Sequence, residues 1–326
     1  GLKNFYKRQT LNRIESLFSK ANIHYFFNKN LNYDISEKIK FVPHHISHIA
    51  STFFQNNIDH ALGFSFDGSG DFSTTEIYDL KHDKFDIMEK VLYPHSIGIY
   101  YQALTQFLGF RNYGDEYKVM GLASYGKPIY KERAKKLISL KNNELTLNLK
   151  YFDHQDTVIN YDFDSGIPYF DDLFSYKLEH LFGKSRKINE PITQFHKDLA
   201  ASMQVVMEDI VLEKLNHYQK KNYHENLCIS GGCAFNSVLN GKIVKETSFK
   251  KILSSQNVGD AGGAVGSALY TAMTHKEKIN RSSSLYLGTK YNNDYVEKKI
   301  VSKLLNNKSY RIKYYENFIE LCDEVA

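Results

Sequence analysis

The chain has 326 residues, of which 42% are hydrophobic and 24% are charged, so it can form two ordinary domains or one bilobal domain. This composition excludes a disordered chain or a coiled coil, and no apolar run reaches the about 20 residues of a membrane-spanning helix. Three cysteines without a CxxC pair argue against a disulfide framework or a zinc ribbon. A net charge of +5 from scattered lysines lacks the clustered basic face of a nucleic-acid-binding protein. We therefore expect a cytoplasmic protein that binds neither a membrane nor nucleic acid.

The first 93 residues are predicted to combine two helices with four strands. An amphipathic helix is indicated by Leu11, Ile14, Leu17 and Phe18 at helical spacing. A short strand from Lys38 to Val42 leads into Pro43, which favours the start of a largely buried helix from His44 to Phe54. A three-strand meander follows, with strands at Ala61 to Phe66, Thr74 to Leu80 and Phe85 to Tyr93.

The remainder alternates predicted helices with two further strands around an irregular excursion at residues 141–192. The helices are predicted at Ile97 to Leu108, Glu116 to Ala123, Tyr130 to Leu140, Ile192 to Tyr218, from near Ala234, and at Asp260 to Met273. The two strands are predicted at Asn226 to Ser230 and at Lys250 to Ser254. This order of elements resembles one lobe of the actin, hexokinase and Hsp70 type of ATPase fold, in which a meander joins two crossover units in one mixed sheet. We therefore predict an α/β protein of this actin-like class, with residues 59–275 as a complete second, nucleotide-binding lobe and residues 1–58 as a truncated first lobe.

Two histidines four positions apart lie in the helix predicted after Pro43. At this spacing His44 and His48 share one helix face with Cβ atoms about 5–6 Å apart, and two imidazoles so placed can bind one metal ion. The alternative is a pair of polar residues on a solvated face. Apolar neighbours such as Phe53 favour a buried polar cluster that needs partners.

Three predicted strand ends carry glycines. They are Asp67-Gly68-Ser69-Gly70, Ser230-Gly231-Gly232 with Asn236 in the helix that follows, and Asp260-Ala261-Gly262-Gly263. Glycine lets a backbone approach a phosphate and donate N–H groups to it, and ligands of α/β sheets gather at strand ends. A plain hairpin turn at Gly68 and helix capping by Asp260 are the alternatives.

The segment Tyr113 to Ala123 places Glu116 and Lys118 at the start of a predicted helix. A capped surface helix accounts for this pattern. The apolar Val119 and Met120 beside them indicate instead a buried face that brings Lys118 or Glu116 toward the cleft.

Five motifs in this order resemble the O-carbamoyltransferases related to nodulation-factor and antibiotic-tailoring enzymes, over about residues 40–290: HHISHIAS, FSFDGSGD, YGDEYKVMGLASYG, SGGCAFNSVLNGKI and NVGDAGGAVGSAL. The resemblance implies a C-terminal domain that makes carbamoyl-adenylate from carbamoyl phosphate and ATP. It also implies an actin-like N-terminal domain that moves the carbamoyl group to a hydroxyl of a sugar-like or natural-product acceptor.

The resemblance also implies roles for individual residues. His44, His48 and Asp260 match the family's metal ligands, with divalent iron, Fe²⁺, as the usual metal. It implies six nucleotide-binding residues: Asp67, Gly68, Gly70, Gly231, Gly232 and Asn236. The third glycine-bearing strand end adds Gly262 as a further candidate. His45 and Lys118 are the candidate catalytic residues; His45 is either a general base, since an unperturbed histidine has a pKa near 6.5, or a packing residue.

Two departures from the family pattern lead us to expect an internal fragment. A His-Asp-x-Ser-Ala motif is absent before Gly1, and the chain stops at Ala326 before a GPRALG-type segment. Residues 276–326 are then a linker toward an adenylate-forming domain, and the chain alone is expected to be inactive and to self-associate, with a homodimer as one form. A tRNA threonylcarbamoyl transferase and a non-catalytic nucleotide-binding scaffold remain as alternative functions.

Overall fold

A computed structural model describes most of the chain in two compact units, Gly1–Ser283 and Ser284–Ala326. The described residues are 27–30, 37–157, 159–222, 224–279, 288–304, 309, 311 and 313–326. The helix predicted around Leu11 to Phe18 lies outside them. None of the helices within these ranges has the length and apolar character needed to cross a bilayer.

The first unit alternates strands and helices. Its strands are β1 (His60–Gly70), β2 (Ser73–Lys81), β3 (Lys84–Leu92), β4 (Ile138–Lys141), β5 (Glu144–Leu147), β6 (Tyr161–Asp164), β7 (Ile167–Phe170), β8 (Asn226–Ser230) and β9 (Lys251–Leu253). Its helices are α1 (His44–Gln55), α2 (Ile97–Phe107), α3 (Glu116–Ala123), α4 (Lys131–Ala134), α5 (Lys177–Phe182), α6 (Gln194–Asn222), α7 (Ser237–Glu246) and α8 (Gly263–Thr274), with 3₁₀ turns at Leu149–Tyr151, Gly232–Phe235 and Asp260–Gly262.

The second unit contains short helices. They are α9 (Asn293–Val296), a π-helical turn at Glu297–Val301, α10 (Ser302–Leu304) and α11 (Phe318–Val325).

A mixed five-stranded sheet in the order β3-β2-β1-β8-β9 organises the first unit. The strands β1, β2 and β3 form the predicted antiparallel meander. The strand β1 also pairs in parallel with β8, from Leu62 opposite Leu227 to Ser65 opposite Ser230, and β8 pairs in parallel with β9. The parallel pairs bring the carboxyl ends of β1, β8 and β9 to the same edge of the sheet.

Helices cover both faces of this sheet and divide its core in two. Leu62, Phe64 and Phe66 of β1 project into the larger core, which contains residues of α2 and α6. The other face packs against α1, and Gly63 permits this close approach, because a Cβ atom there would lie 3.0 Å from Ile49. Burial on both faces explains why β1 begins as a nearly continuous apolar run.

The structure corrects three of the predicted elements. Lys38 to Val42 is not a strand: the segment is mostly exposed and pairs with none of the described strands, so its backbone lacks the partner that a strand requires. The helix predicted from Tyr130 to Leu140 ends at Ala134. Residues 141–192, predicted to be irregular, contain the β6–β7 hairpin, α5 and most of the β4–β5 hairpin.

The β4–β5 hairpin explains the early end of α4. Asn142 and Asn143 both have positive φ, 51° and 66°, as a two-residue hairpin turn of the primed type requires. This turn folds Ile138–Lys141 back against Glu144–Leu147. The apolar residues after Ala134 therefore lead into a strand and do not extend the helix.

Candidate metal centre

The helix α1 places two imidazoles one turn apart at its N-terminus. Pro43 precedes the helix and provides no capping side chain. The backbone nitrogen of His44 instead donates to Asp71 Oδ2 at 2.8 Å, from the turn between β1 and β2. The two Nε2 atoms of His44 and His48 are 3.0 Å apart, so the sequence spacing does bring both rings to one point.

Two carboxylates complete this cluster. Asp67 Oδ2 lies 3.0 Å from His48 Nε2 and 3.6 Å from His44 Nε2. Asp260 Oδ1 lies 3.3 Å and 3.7 Å from the same two atoms. The four ligand atoms all lie within 4.8 Å of one another. The sequence prediction that Asp260 joins the two histidines in space is therefore confirmed, and Asp67 is an additional member.

These separations fit a shared cation. Donor atoms bound at about 2.1 Å from one ion are about 3.0 Å apart at right angles and about 3.4 Å apart at the tetrahedral angle. The observed separations of 3.0–3.7 Å span these values. Two imidazoles and two carboxylates suit a first-row divalent metal better than Mg²⁺ or Ca²⁺, which prefer oxygen ligands.

Asp260 reaches the cluster because α8 packs very closely on α1. A Cβ atom on Gly266 of α8 would lie only 1.7 Å from the carbonyl oxygen of Ser47 in α1. The hydroxyl oxygens of Ser47 and Ser267 are 2.9 Å apart and fix the register of the two helices. Asp260 begins the 3₁₀ turn that enters α8, and the N-cap positions of that turn and of α8 are occupied by Gly259 and Gly262. Helix capping therefore does not explain this residue.

Asp67 connects two of the three glycine-bearing strand ends. Its Oδ1 accepts a hydrogen bond from the backbone nitrogen of Gly68 at 2.7 Å, and its Oδ2 accepts one from Gly232 at 3.0 Å. The backbone nitrogen of Gly231 donates to Val258 O at 2.7 Å, which brings the third strand end alongside. The three glycine-bearing strand ends therefore lie beside one another at one edge of the sheet.

The charges of the cluster stabilise one another. Burial by itself would lower the pKa of His48, but hydrogen bonds to Asp260 and Asp67 outweigh it and raise the pKa to about 9. Burial would likewise raise the pKa of Asp67, but hydrogen bonds from His44 and His48 hold it far below its usual value. The hydrogen bond from His48 lowers the pKa of Asp260. Both carboxylates are therefore anionic at neutral pH and available to a cation.

His45 points away from the cluster into the protein. Its Nδ1 is 2.8 Å from Ser65 Oγ in β1, and the residue is only 1% exposed. Burial lowers the pKa of His45 to about 4, so the ring is neutral near pH 7. Its Nε2 has no hydrogen-bond partner within the described part of the chain. These contacts fit the packing role, and the general-base role stays a prediction.

Several of the predicted nucleotide-binding glycines have a packing explanation. A Cβ atom on Gly70 would lie 2.1 Å from the His44 ring, and one on Gly262 would lie 2.0 Å from Asn257 O. Gly231 has a φ of +93°, and a Cβ atom there would lie 2.2 Å from Phe66 O. Only for Gly68, among these, is the space beside the Cα open. Nucleotide binding by these residues stays a prediction.

The prediction that Asn236 lies one turn into a helix is wrong, because Asn236 caps the N-terminus of α7. Its Oδ1 accepts a hydrogen bond from the backbone nitrogen of Leu239 at 2.9 Å. Its side-chain amide also exchanges two hydrogen bonds with Gln204 of α6, at 2.9 and 3.0 Å. The 3₁₀ turn Gly232–Phe235 delays the helix, which starts at Ser237.

In the segment from Tyr113 to Ala123, Glu116 and Lys118 have different surroundings. Lys118 extends its ammonium to Asp115, 2.6 Å away, so a catalytic role for it stays a prediction. Burial raises the pKa of Glu116, and the charges of Asp115 and Asp67 raise it further. Sequence reasoning left open whether Glu116 or Lys118 faces the cleft, and that choice stays a prediction.

The chain is similar to a known protein family and to curated proteins. It matches the family described as Carbamoyltransferase N-terminus over residues 1–269. It is 35% identical over 266 residues to an uncharacterized protein of Synechocystis sp., which covers 79% of this chain and 41% of that protein. It is 32% identical to nodulation protein NolO of Bradyrhizobium diazoefficiens, over 69% of this chain and 37% of that protein. Its identity to nodulation protein NolNO of Sinorhizobium fredii is 31%, over 71% and 31% of the two chains. The chain thus spans less than half the length of each relative.

Solved structures give a weaker similarity. HypF of T. kodakarensis aligns at 16% identity with a TM-score of 0.41, over 78% of this chain and 39% of that one.

Proposed function

We propose a site of carbamoyl transfer in this chain, which belongs to the carbamoyltransferase family by its match to that family's N-terminus. The observation that carries the proposal is the cluster of His44, His48, Asp67 and Asp260 at the edge of the sheet where the glycine-bearing strand ends meet. The proposed donor is carbamoyl-adenylate, formed from carbamoyl phosphate and ATP. The proposed acceptor is a hydroxyl of a sugar-like or natural-product molecule.

The four side chains of this cluster are proposed to hold Fe²⁺. Imidazole and carboxylate are suitable ligands for divalent iron, and also for zinc. Bound there, the cation would supply Lewis-acid polarisation of the carbamoyl carbonyl. Asp67 has a second task, because its hydrogen bonds to Gly68 and Gly232 fix the two loops that border the cluster.

We propose that the nucleotide lies along the same edge of the sheet. The antiparallel meander followed by two parallel strands supports an actin-like lobe, in which a nucleotide binds at this edge. Gly68 leaves room for a phosphate beside its backbone. Gly232 is exposed next to Asp67 and is the proposed neighbour of the adenosine.

The proposal is tested by supplying the donor directly. The chain, loaded with Fe²⁺, is mixed with synthetic carbamoyl-adenylate and a panel of sugar acceptors, and AMP release is followed by chromatography. The chain alone is expected to be inactive with carbamoyl phosphate and ATP, but with the donor supplied we expect metal-dependent AMP release that a suitable hydroxyl acceptor accelerates. Asp260→Asn should slow it by at least about 100-fold, because it removes one ligand of the cluster.

Asp83→Asn is the matched control, since Asp83 is exposed in the turn between β2 and β3. It should retain the wild-type rate. The proposal is wrong if the metal-loaded chain releases AMP no faster than buffer does, or if Asp260→Asn is as active as the control.

A further inference from the structure

A second cluster of two histidines and one aspartate lies at the opposite end of β1. His60 begins β1, Asp79 lies near the end of β2, and His224 precedes β8. His60 and Asp67 are seven residues apart on one strand, which corresponds to about 23 Å at about 3.3 Å per residue. The two clusters are therefore separate, and one ion cannot serve both.

The donor atoms of this second cluster face one another. His60 Nε2 lies 2.6 Å from Asp79 Oδ1, and His224 Nε2 lies 2.9 Å from the same oxygen. The three atoms lie within 4.8 Å of one another, and the two imidazole centroids are 4.7 Å apart. Small side-chain movements would place all three at the about 2.0–2.2 Å that zinc requires.

The sheet register holds two of these residues in place. His60 is opposite Lys81, and Leu62 is opposite Asp79, so His60 and Asp79 are diagonal neighbours on one face of the β1–β2 pair. Lys81 Nζ lies 2.9 Å from Asp79 Oδ2, which leaves Oδ1 to face the histidines. A ligating carboxylate is commonly oriented by such a partner on its other oxygen.

The third residue comes from a different part of the fold. His224 lies between α6 and β8, and its side chain is 1% exposed, whereas that of His60 is 49% exposed. The cluster thus has one buried and one exposed ligand, and its open side faces solvent. Three protein ligands with access for water are the arrangement of an open zinc site.

We propose that His60, Asp79 and His224 bind a second divalent cation, Zn²⁺, independently of the candidate metal centre. Two imidazoles and one carboxylate suit Zn²⁺ and not Mg²⁺ or Ca²⁺, which prefer oxygen ligands. The ion joins β1, β2 and the segment before β8. Its role is to stabilise the antiparallel and parallel halves of the sheet against one another, since a ligand that binds only the folded state stabilises it.

The test counts ions in the whole chain. Titration with Zn²⁺, followed by calorimetry, and with Co²⁺, followed by visible absorption, should give two sites in the wild type. His60→Gln and His48→Gln should each leave one site, and the double variant none. His82→Gln, which removes an exposed histidine next to Lys81 and outside both clusters, should keep two.

Stability gives a second readout. Excess Zn²⁺ should raise the Tm of His48→Gln, and it should not raise the Tm of the double variant. His60 is substituted because it is exposed, so its replacement leaves the core intact. Replacement of the buried His224 could disturb the core. The proposal is overturned if His60→Gln still binds two Zn²⁺ ions, each with an affinity within about tenfold of the wild-type value.

Discussion

Replacing Gly266 with alanine tests whether the close packing of α8 on α1 builds the candidate metal centre. A Cβ atom at this position would lie 1.7 Å from Ser47 O and 2.9 Å from Ser51 N, whereas ordinary contact begins near 3.4 Å. The two helices must therefore move apart by roughly 1–2 Å. Overpacking of this kind costs about 1–3 kcal/mol, and the better helix propensity of alanine returns about 1 kcal/mol.

We expect Gly266→Ala to lose up to about 2 kcal/mol of the free energy of unfolding, measured by urea denaturation. The displacement also moves Asp260, whose Oδ1 now lies 3.3 Å from His48 Nε2. The affinity of the candidate metal centre for Zn²⁺, measured by calorimetry with His60→Gln as background, should fall at least about tenfold.

Gly241→Ala in α7 is the matched control, because nothing lies within 4 Å of the position of its Cβ atom. This variant should gain about 0.5–1 kcal/mol and keep its metal affinity. If Gly266→Ala is stabilised like Gly241→Ala, close contact at Gly266 does not limit the packing of α8 on α1. If it is destabilised with unchanged metal affinity, the contact does not position Asp260.

Three further predictions concern stability. Asp71→Ala removes the acceptor of the His44 backbone N–H and should lower the free energy of unfolding, measured by urea denaturation, by about 0.5–2 kcal/mol. An unchanged free energy of unfolding would show that this cap does not stabilise α1. Asn236→Ala removes the α7 cap and should cost about 1–2 kcal/mol, whereas Asn236→Asp, which retains the capping oxygen, should cost less. Burial lowers the pKa of His154 to about 4. Its neutral form therefore contributes stability above about pH 6.5, and about 3 kcal/mol of this is lost as the pH falls to about 4. In His154→Gln, the slope of the unfolding free energy against pH over this range should fall by the amount that corresponds to one proton. An unchanged slope would contradict the lowered pKa of His154.

The sequence was sufficient for those features that depend on local spacing. The 3.6-residue period predicted α1 and placed His44 and His48 on one face, which the 3.0 Å separation of their Nε2 atoms confirms. Alternating and continuous apolar runs predicted the meander and both parallel strands. The convergence of Asp260 on the histidines followed from the resemblance of ordered motifs, because no local pattern connects positions so distant in sequence.

Features that depend on tertiary contacts cannot be predicted from local sequence patterns. The motif FSFDGSGD predicts a phosphate loop at Asp67, but nothing in it shows that the Asp67 side chain turns toward α1. The sequence predicts Gly70 and Gly262 as ligand-binding glycines, but it gives no sign that His44 and Asn257 approach them closely. The turn at Asn142 is not evident from the sequence, because the residues before it also suit a helix.

The cluster also has a consequence for the order of folding. Ser47 and Ser267, whose hydroxyls join α1 to α8, are 220 positions apart. Closing so long a loop is entropically costly and makes such contacts slow to form. An intermediate that contains only α1 and the meander would present His44, His48 and Asp67 without Asp260, the ligand that precedes α8. Tight metal binding should therefore appear only in the last step of folding, and the rate at which an ion is taken up would measure the closure of this loop.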